Sequence, residues 1–190
     1  STRKESSAAS DVYKRQVQSG DDKVLKSMNR KYTSSEYLKI IEKLRNARPD
    51  IVFSSDIIIG FPGETDQAFE NTLDLVAKVN YSQAYSFKYS RRPGTPGSIM
   101  KGQVAESIKS ERLLRLQEIL YSQQLYFNRS FIGKNMDILI ERRKKNNQLV
   151  GRSPYMQAVH LLEDNCEIGD ILNIKVFDAD KNSLKGEVVQ

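Results

Sequence analysis

The sequence predicts a mixed α/β chain in two parts. Parallel βα units, belonging to a barrel or an open sheet, precede a small closed β-barrel. Three observations predict this. Strand-like apolar runs alternate with amphipathic helical patterns from Val17 to about residue 127, and strand–helix–strand order with short connections means parallel strands joined by right-handed crossovers. The stretch Ile51–Glu64, IVFSSDIIIGFPGE, is a β-branched run that stops at a turn rich in Gly and Pro. That layout sets a ligand at the carboxyl end of a parallel strand, although an ordinary strand-to-helix connection uses the same residues. After Asn128 the texture changes to short strands separated by turn formers, the spacing of a small barrel.

Taken in order, residues 1–16 (STRKESSAASDVYKRQ) are polar, rich in Ser and Ala, and without periodicity. They bury too little apolar surface to offset their ordering entropy. SAASDVYKRQ also resembles a translated cloning artefact, so 1–16 is read as non-native or disordered and left out of the fold. Val17–Gly20 reads as the tail of a strand. Asp21 or Asp22 caps a short helix with Val24, Leu25 and Met28 on one side, and Asn29-Arg30-Lys31 ends it with the positive charge a helix C-terminus favours. Thr33-Ser-Ser-Glu36 has capping-box spacing and opens a helix striped by Tyr37, Leu38, Ile40, Ile41 and Leu44, which closes before Pro49.

Ile51–Ile59 reads as a strand buried on both faces. Gly60-Phe61-Pro62-Gly63 ends it, and Thr65 or Asp66 caps a helix carrying Phe69, Leu73, Val76 and Val79. Ala84–Tyr89 alternates as a strand and runs into a loop, residues 90–97, with the adjacent Arg91 and Arg92. Residues 103–127 form a long helical pattern with Val104, Ile108, Leu113, Leu114, Leu116, Ile119, Leu120 and Leu125 as its apolar positions. Five short strands follow at Met136–Glu141, Gln148–Arg152, Ala158–Leu162, Asp170–Phe177 and Leu184–Val189. The domains are therefore read as 17–127 and 128–190, with the boundary at about 127–133.

Composition narrows the classes. The net charge of +6 divides as +2 over residues 1–16, +3 over 17–127 and +1 over 128–190. No region is strongly basic, so contact with nucleic acid must rest on local patches. No apolar run reaches membrane-span length and no signal-peptide pattern is present, so no membrane association is expected. The single cysteine, Cys166, rules out a disulfide within the chain and a thiolate cluster built from this chain alone. It points to a reducing, cytoplasmic setting.

The segments VQSG, DKVLKSMNRKYT, DIIIGFPGET, SFKYSRRPGTPG and GRSPYMQAVH, in this order, resemble radical-SAM methylthiotransferases, most closely the MiaB-type branch that modifies tRNA. The likeness runs over residues 17–190 almost without a gap. It implies the C-terminal part of a radical-SAM partial TIM-type (βα) barrel followed by a TRAM domain, a small RNA-binding β-barrel. It also implies S-adenosylmethionine and two 4Fe-4S clusters in the full-length enzyme. The family's cluster-binding cysteines lie upstream of the QSG segment, so the chain carries no catalytic residue and no metal ligand of its own, and is expected to be inactive alone.

By the same resemblance Gln18, Ser19 and Gly20 line the S-adenosylmethionine site, and Ile58, Ile59 and Gly60 are where a strand packs on the adenine. For each, a bland reading stands beside this one: a polar turn for 18–20 and core packing for the isoleucines. Arg30 either reaches a ligand carboxylate or caps its helix. Glu64 either bonds a ligand hydroxyl or serves as a first-turn carboxylate. Arg91 and Arg92, beside Phe87 and Tyr89, suit phosphate contact and base stacking, or form a solvated loop.

The run Arg142-Arg143-Lys144-Lys145 sits in a turn of the barrel and would meet an RNA backbone, with Arg152, Tyr155 and Gln157 adding stacking and polar contacts. His160, alternating with Val159 and Leu161, is assigned no role. The expected partner is tRNA, at the anticodon region. The alternatives within the family act on threonylcarbamoyladenosine tRNA or on a ribosomal protein, and the alternative outside it is a non-catalytic RNA-binding module.

Overall fold

A computed structural model describes residues 12–14, 16–145, 147–161 and 166–189. The chain divides into two compact units, one of Lys14–Gln123 and the other of Gln124–Gln190 grouped with residues 1–13, so the main division falls inside a long helix.

In the first unit, β2 Val52–Ile59 and β3 Gln83–Lys88 belong to a three-stranded sheet of order β1-β2-β3, where β1 is Val12–Lys14. Of residues 1–16, read from sequence as outside the fold, the structure describes only the β1 backbone and Gln16; the remainder lie outside the described residues. β2 and β3 are parallel, pairing Asp56 with Tyr85 and Ile58 with Phe87. A parallel bridge between Gln18 and Ile57 lays Val17–Ser19 along the other edge of β2, the position expected of a strand tail.

Four helices belong to this part of the chain before the long one: α1 Asp22–Ser27, α2 Ser34–Ala47, α3 Asp66–Val79 and the one-turn α4 Pro96–Ile99. Their starts follow from the sequence. Asp21 accepts from the N–H groups of Lys23 and Val24, Thr33 and Glu36 form a reciprocal capping box, and Thr65 accepts from Ala68 N–H. Asn80 ends α3 in the left-handed region, at φ 51°. Phe53, Ser55, Ile57 and Ile59 form one fully buried face of β2. On the other face Asp56 and Ile58 are only half-buried, next to the exposed Tyr85 and Phe87 of β3. β2 is therefore less enclosed than a strand buried on both faces, since on that side its parallel partner presents the exposed Tyr85 and Phe87.

Helix α5, Glu106–Arg129, departs most from its sequence reading. Leu116 and Leu120 are buried, but Ile108 and Leu114 are exposed, and Lys109 and Arg112 take the inward positions instead. The spacing 109, 112, 116, 120 is one helical face, and its first two members answer the charge and carbonyl groups described below rather than apolar contacts.

The second unit is a closed five-stranded barrel in the order β4-β5-β6-β8-β7. Its strands are β4 Asn135–Arg143, β5 Leu149–Arg152, β6 Ala158–Leu161, β7 Ile171–Ala179 and β8 Ser183–Val188. Ile138, Ile140, Leu149, Val159, Leu161, Ile174, Val176, Ala179 and Leu184 fill it, with Cys166 packed against them. β4 runs two residues further than its apolar pattern, so Arg142 and Arg143 lie on the strand and not in the turn.

Two barrel glycines sit where side chains from opposite strands fill the interior. A Cβ on Gly151 would stand 2.8 Å from Ile138 Cδ1 and 3.0 Å from the Leu139 carbonyl oxygen, and one on Gly186 would stand 2.7 Å from Ile174 Cδ1. Overpacking a filled core costs about 1–3 kcal/mol. Gly151→Ala should therefore lower the stability of the chain by that amount in urea denaturation, and adding Ile138→Val should restore part of it. An unchanged midpoint for Gly151→Ala would show that the barrel core has room to spare.

Candidate functional site

In the first unit the carboxyl ends of the parallel segments come together. β2 ends at Gly60, whose φ of +70° is a left-handed angle that a glycine adopts without strain. The turn that follows is held from inside. Glu64 is buried, and its Oε1 accepts the Gly60 N–H at 2.9 Å and Arg112 Nη1 at 2.7 Å. Arg112 Nη2 continues to Asp66 Oδ1 at 2.6 Å, and Asp66 is exposed. Lys109 lies against Gly60, where a Cβ would come within 2.4 Å of its Cγ, and its Nζ donates to the Tyr89 carbonyl at 3.2 Å. Burial pushes the Glu64 carboxyl above its usual range, against the Gly60 N–H and Arg112, which pull it down. Glu64 Oε2 has no partner among the described residues.

This turn carries Ile58 and Phe61 into the wall of a cavity of about 550 Å³ shared with Phe87, Tyr89, Arg92 and Gly97, within the range of small-molecule sites. Tyr89 stacks edge-on to Phe61 at 5.0 Å between centroids. Its hydroxyl, buried without a partner among the described residues, lies where a Cβ on Gly97 would be 2.5 Å away. Ile58 and Arg92, assigned from sequence to different ligands, thus line one cavity. Sequence reasoning does not single out Phe61 and Gly97; the aromatic and the small residue flanking two glycine turns are the available signal.

The other expected ligand residues divide. Gln18 is half-buried with φ 65°, and its Oε1 accepts Arg30 Nε at 2.9 Å, so this pair stands together at the strand end. Ser19 is fully buried and its Oγ lies 3.3 Å from Thr72 Oγ1. Gly20 packs on α3, where a Cβ would be 2.4 Å from the Asn71 carbonyl oxygen. Ile59 is in the core. Arg91 and Arg92 are exposed.

In the barrel, Arg142 and Lys145 are exposed. Arg143 donates to the Cys166 carbonyl at 2.8 Å, and Lys144 to Gln148 Oε1 at 3.1 Å. Arg152 pairs with Glu141 at 2.9 Å and reaches the Met156 carbonyl at 3.0 Å. Tyr155 is half-buried against Phe127 and Phe131, with centroids 5.7 and 5.1 Å apart. Gln157 bonds Asn128 at 2.7 Å and Ser153 at 2.9 Å. Much of GRSPYMQ therefore satisfies its own loop and the end of α5.

Side-chain chemistry decides which cofactors these residues fit. Ile58, Phe61 and Phe87 offer an apolar wall that fits a purine-sized ring, and the Gln18–Arg30 pair offers polar groups at the adjacent strand end. Iron–sulfur clusters do not fit: Cys166 packs on the barrel core, and among the described residues no group of three or more His, Cys, Asp or Glu side chains comes together.

The turn makes a prediction. Removing one partner of a buried pair costs about 3–5 kcal/mol, so Arg112→Met should destabilise the chain by that much near neutral pH. The folded-state pKa of Glu64 is already raised by burial, and loss of Arg112 raises it further. For an acid shifted upward, stability is lost as pH rises from the unfolded value through the folded one. The penalty should therefore shrink as pH falls toward the ordinary carboxylate range, and the double variant with Glu64→Gln should lose this pH dependence. A pH-independent penalty in chemical denaturation would contradict the ion-pair account.

The comparisons with known proteins agree with this architecture. The Radical SAM superfamily profile matches residues 7–76 and the TRAM domain profile matches residues 129–189. The tRNA-2-methylthio-N(6)-dimethylallyladenosine synthase of Ehrlichia canis (strain Jake) is 56% identical over 176 residues, which are 90% of this chain and 40% of that protein. The synthase of the same name from Agrobacterium fabrum is 53% identical over 90% of this chain and 38% of its own length, and that of Rickettsia rickettsii (strain Sheila Smith) 54% over 91% and 39%. The chain thus spans about two fifths of the relatives it matches. A solution structure of a conserved protein from Methanococcus maripaludis is 25% identical over 31% of this chain and 80% of that one, with a TM-score of 0.27, too low to establish a shared fold. With a Radical SAM match and a TRAM match in order, and more than half of the aligned residues identical, the chain is similar over about nine tenths of its length to part of these synthases.

Proposed function

We propose that the chain is the C-terminal part of a tRNA methylthiotransferase that adds a methylthio group to N6-isopentenyladenosine next to the anticodon. The observation that carries this reading is the identity of over 50%, across both units, to synthases named for that modification. Radical-SAM membership implies S-adenosylmethionine and iron–sulfur clusters, which when bound supply the radical chemistry; we take the clusters to be two 4Fe-4S centres held by residues outside this chain.

In this reading the chain's own residues bind and position. Ile58, Phe61 and Phe87 pack on the apolar part of S-adenosylmethionine, and Gly60, closed against Lys109, ends the strand beside them. Gln18 and Arg30 meet its polar end. Ser19, Gly20 and Ile59 support that wall from behind. Arg91 and Arg92 receive RNA at the mouth. The barrel grips the tRNA backbone through Arg142 and Lys145, with Arg143, Lys144, Arg152 and Tyr155 in reach after exchanging their internal partners. Among the described residues no helix is long and apolar enough to cross a membrane; we place the enzyme in the cytoplasm because its proposed substrate is tRNA.

Two experiments test this. The chain alone, after iron–sulfur reconstitution, should form no 5′-deoxyadenosine; appreciable product would contradict the placement of the radical generator outside it. Charge reversal at Arg142, Lys144 and Lys145 should weaken RNA binding and flatten its salt dependence, by roughly 0.7–0.9 in the log–log slope for each phosphate that is no longer neutralised. Equal affinity at two salt concentrations would remove that loop from the RNA surface. A nucleoside profile of a strain lacking the full gene separates this substrate from threonylcarbamoyladenosine and from a ribosomal protein.

A further inference from the structure

The strand register of the barrel aligns a transverse row of residues that the sequence scatters. Arg142 pairs with Val150, Val150 with His160, His160 with Lys185, and Lys185 with Asp178. The adjacent row, Ile140–Gly151–Val159–Leu184–Ala179, is buried in the barrel core. Neighbours along a strand point to opposite faces, so the first row points away from the barrel interior: Arg142 and Lys185 are exposed there, His160 and Asp178 are half-buried, and Val150 between Arg142 and His160 is covered.

Two β-bulges make this possible. The register shifts between Ile140 and Arg142 on β4, and between Val176 and Asp178 on β7. Without the extra residue, Arg142 and Asp178 would share the inward side of Ile140 and Val176; each bulge re-aims one charged side chain.

The outward row sets cations around the chain's only histidine. Arg142 flanks it from β4, Lys144 from the turn after β4, and Lys185 is its direct cross-strand neighbour on β8. Asp180, in the turn between β7 and β8, is the acidic group acting on it. Asp178 holds Lys185 at 2.8 Å. His160 Nδ1 is buried without a partner among the described residues. Burial first, and then Lys144, hold the imidazole below its ordinary pKa. Like charges set side by side on a sheet repel, and an anion on this row would relieve the repulsion and favour protonated His160.

We propose that the Arg142–His160–Lys185 row is a phosphate-binding face for RNA on the barrel, with His160 as its proton-sensitive contact and Asp178 as the internal competitor for Lys185. The proposal rests on the RNA-binding reading of the barrel above and adds to it two residues, His160 and Lys185, that lie outside the basic run.

The test is fluorescence anisotropy of a labelled oligouridine RNA with the full 190-residue chain, at constant ionic strength, near pH 6 and near pH 8. Wild type should bind roughly three- to tenfold tighter at the lower pH, the gain open to a group whose pKa rises by up to about one unit on contact. His160→Gln should lose that gain. Lys185→Glu should weaken binding at both pH values, and Asp178→Asn, which frees Lys185, should strengthen it; these two keep the test decisive should the histidine variant fold poorly. A pH gain that persists in His160→Gln, or no response to Lys185→Glu and Asp178→Asn, would overturn the proposal. If the chain binds with a steep salt dependence but ignores these three positions, only this inference falls; if it binds no oligouridine even at low salt, the RNA reading of the barrel falls with it.

Discussion

The Arg112–Glu64 pair is the interaction on which the first unit's site depends. A parallel strand that must stop abruptly leaves an N–H with no ladder partner, and at Gly60 that donor is taken by a buried carboxylate. A carboxylate so placed needs a counter-charge, and α5 supplies it from a residue nearly fifty positions away. Lys109, three residues earlier on the same helix, lies under Gly60 and reaches the end of β3. One helix face therefore fixes where both strands end, and with them the cavity wall of Ile58, Phe61 and Phe87. The exposed Asp66 adds little to this by comparison.

The barrel solves a different problem. Its interior is apolar and tightly filled, to the point that Gly151 and Gly186 have no room for a methyl group. Its outer surface is where chemistry can vary without disturbing that core. Charges are delivered to the surface by bulges at the edges of the inward rows, while the GRSPYMQ turn is spent on closing its own backbone through Ser153 and Gln157.

Local features were legible in the sequence, and non-local ones were not. The Thr33 and Thr65 caps, the glycine turn after β2 and the change of texture after Asn128 are each encoded within a few residues, and the structure has them. Lys109 and Arg112 look like the solvent face of α5, because nothing near them in sequence shows that Glu64 and the Tyr89 carbonyl lie opposite. Gly20 suggests a ligand turn, but its close neighbours Asn71 and Thr72 are about fifty residues on. The outward aim of Arg142 follows from a bulge, and Lys185 joins His160 through strand pairing across the barrel; register of that kind has no signature in a single strand.

The central claim is that this chain supplies the cosubstrate wall and RNA grip of a methylthiotransferase. The most direct measurement joins the N-terminal part of the Ehrlichia canis relative to residues 17–190 and analyses, by nucleoside mass spectrometry, tRNA from a host lacking its own enzyme. The account predicts methylthiolated isopentenyladenosine, lost when Arg112→Met loosens the turn. A folded, cluster-loaded chimera that forms 5′-deoxyadenosine yet leaves that adenosine unmodified would contradict it.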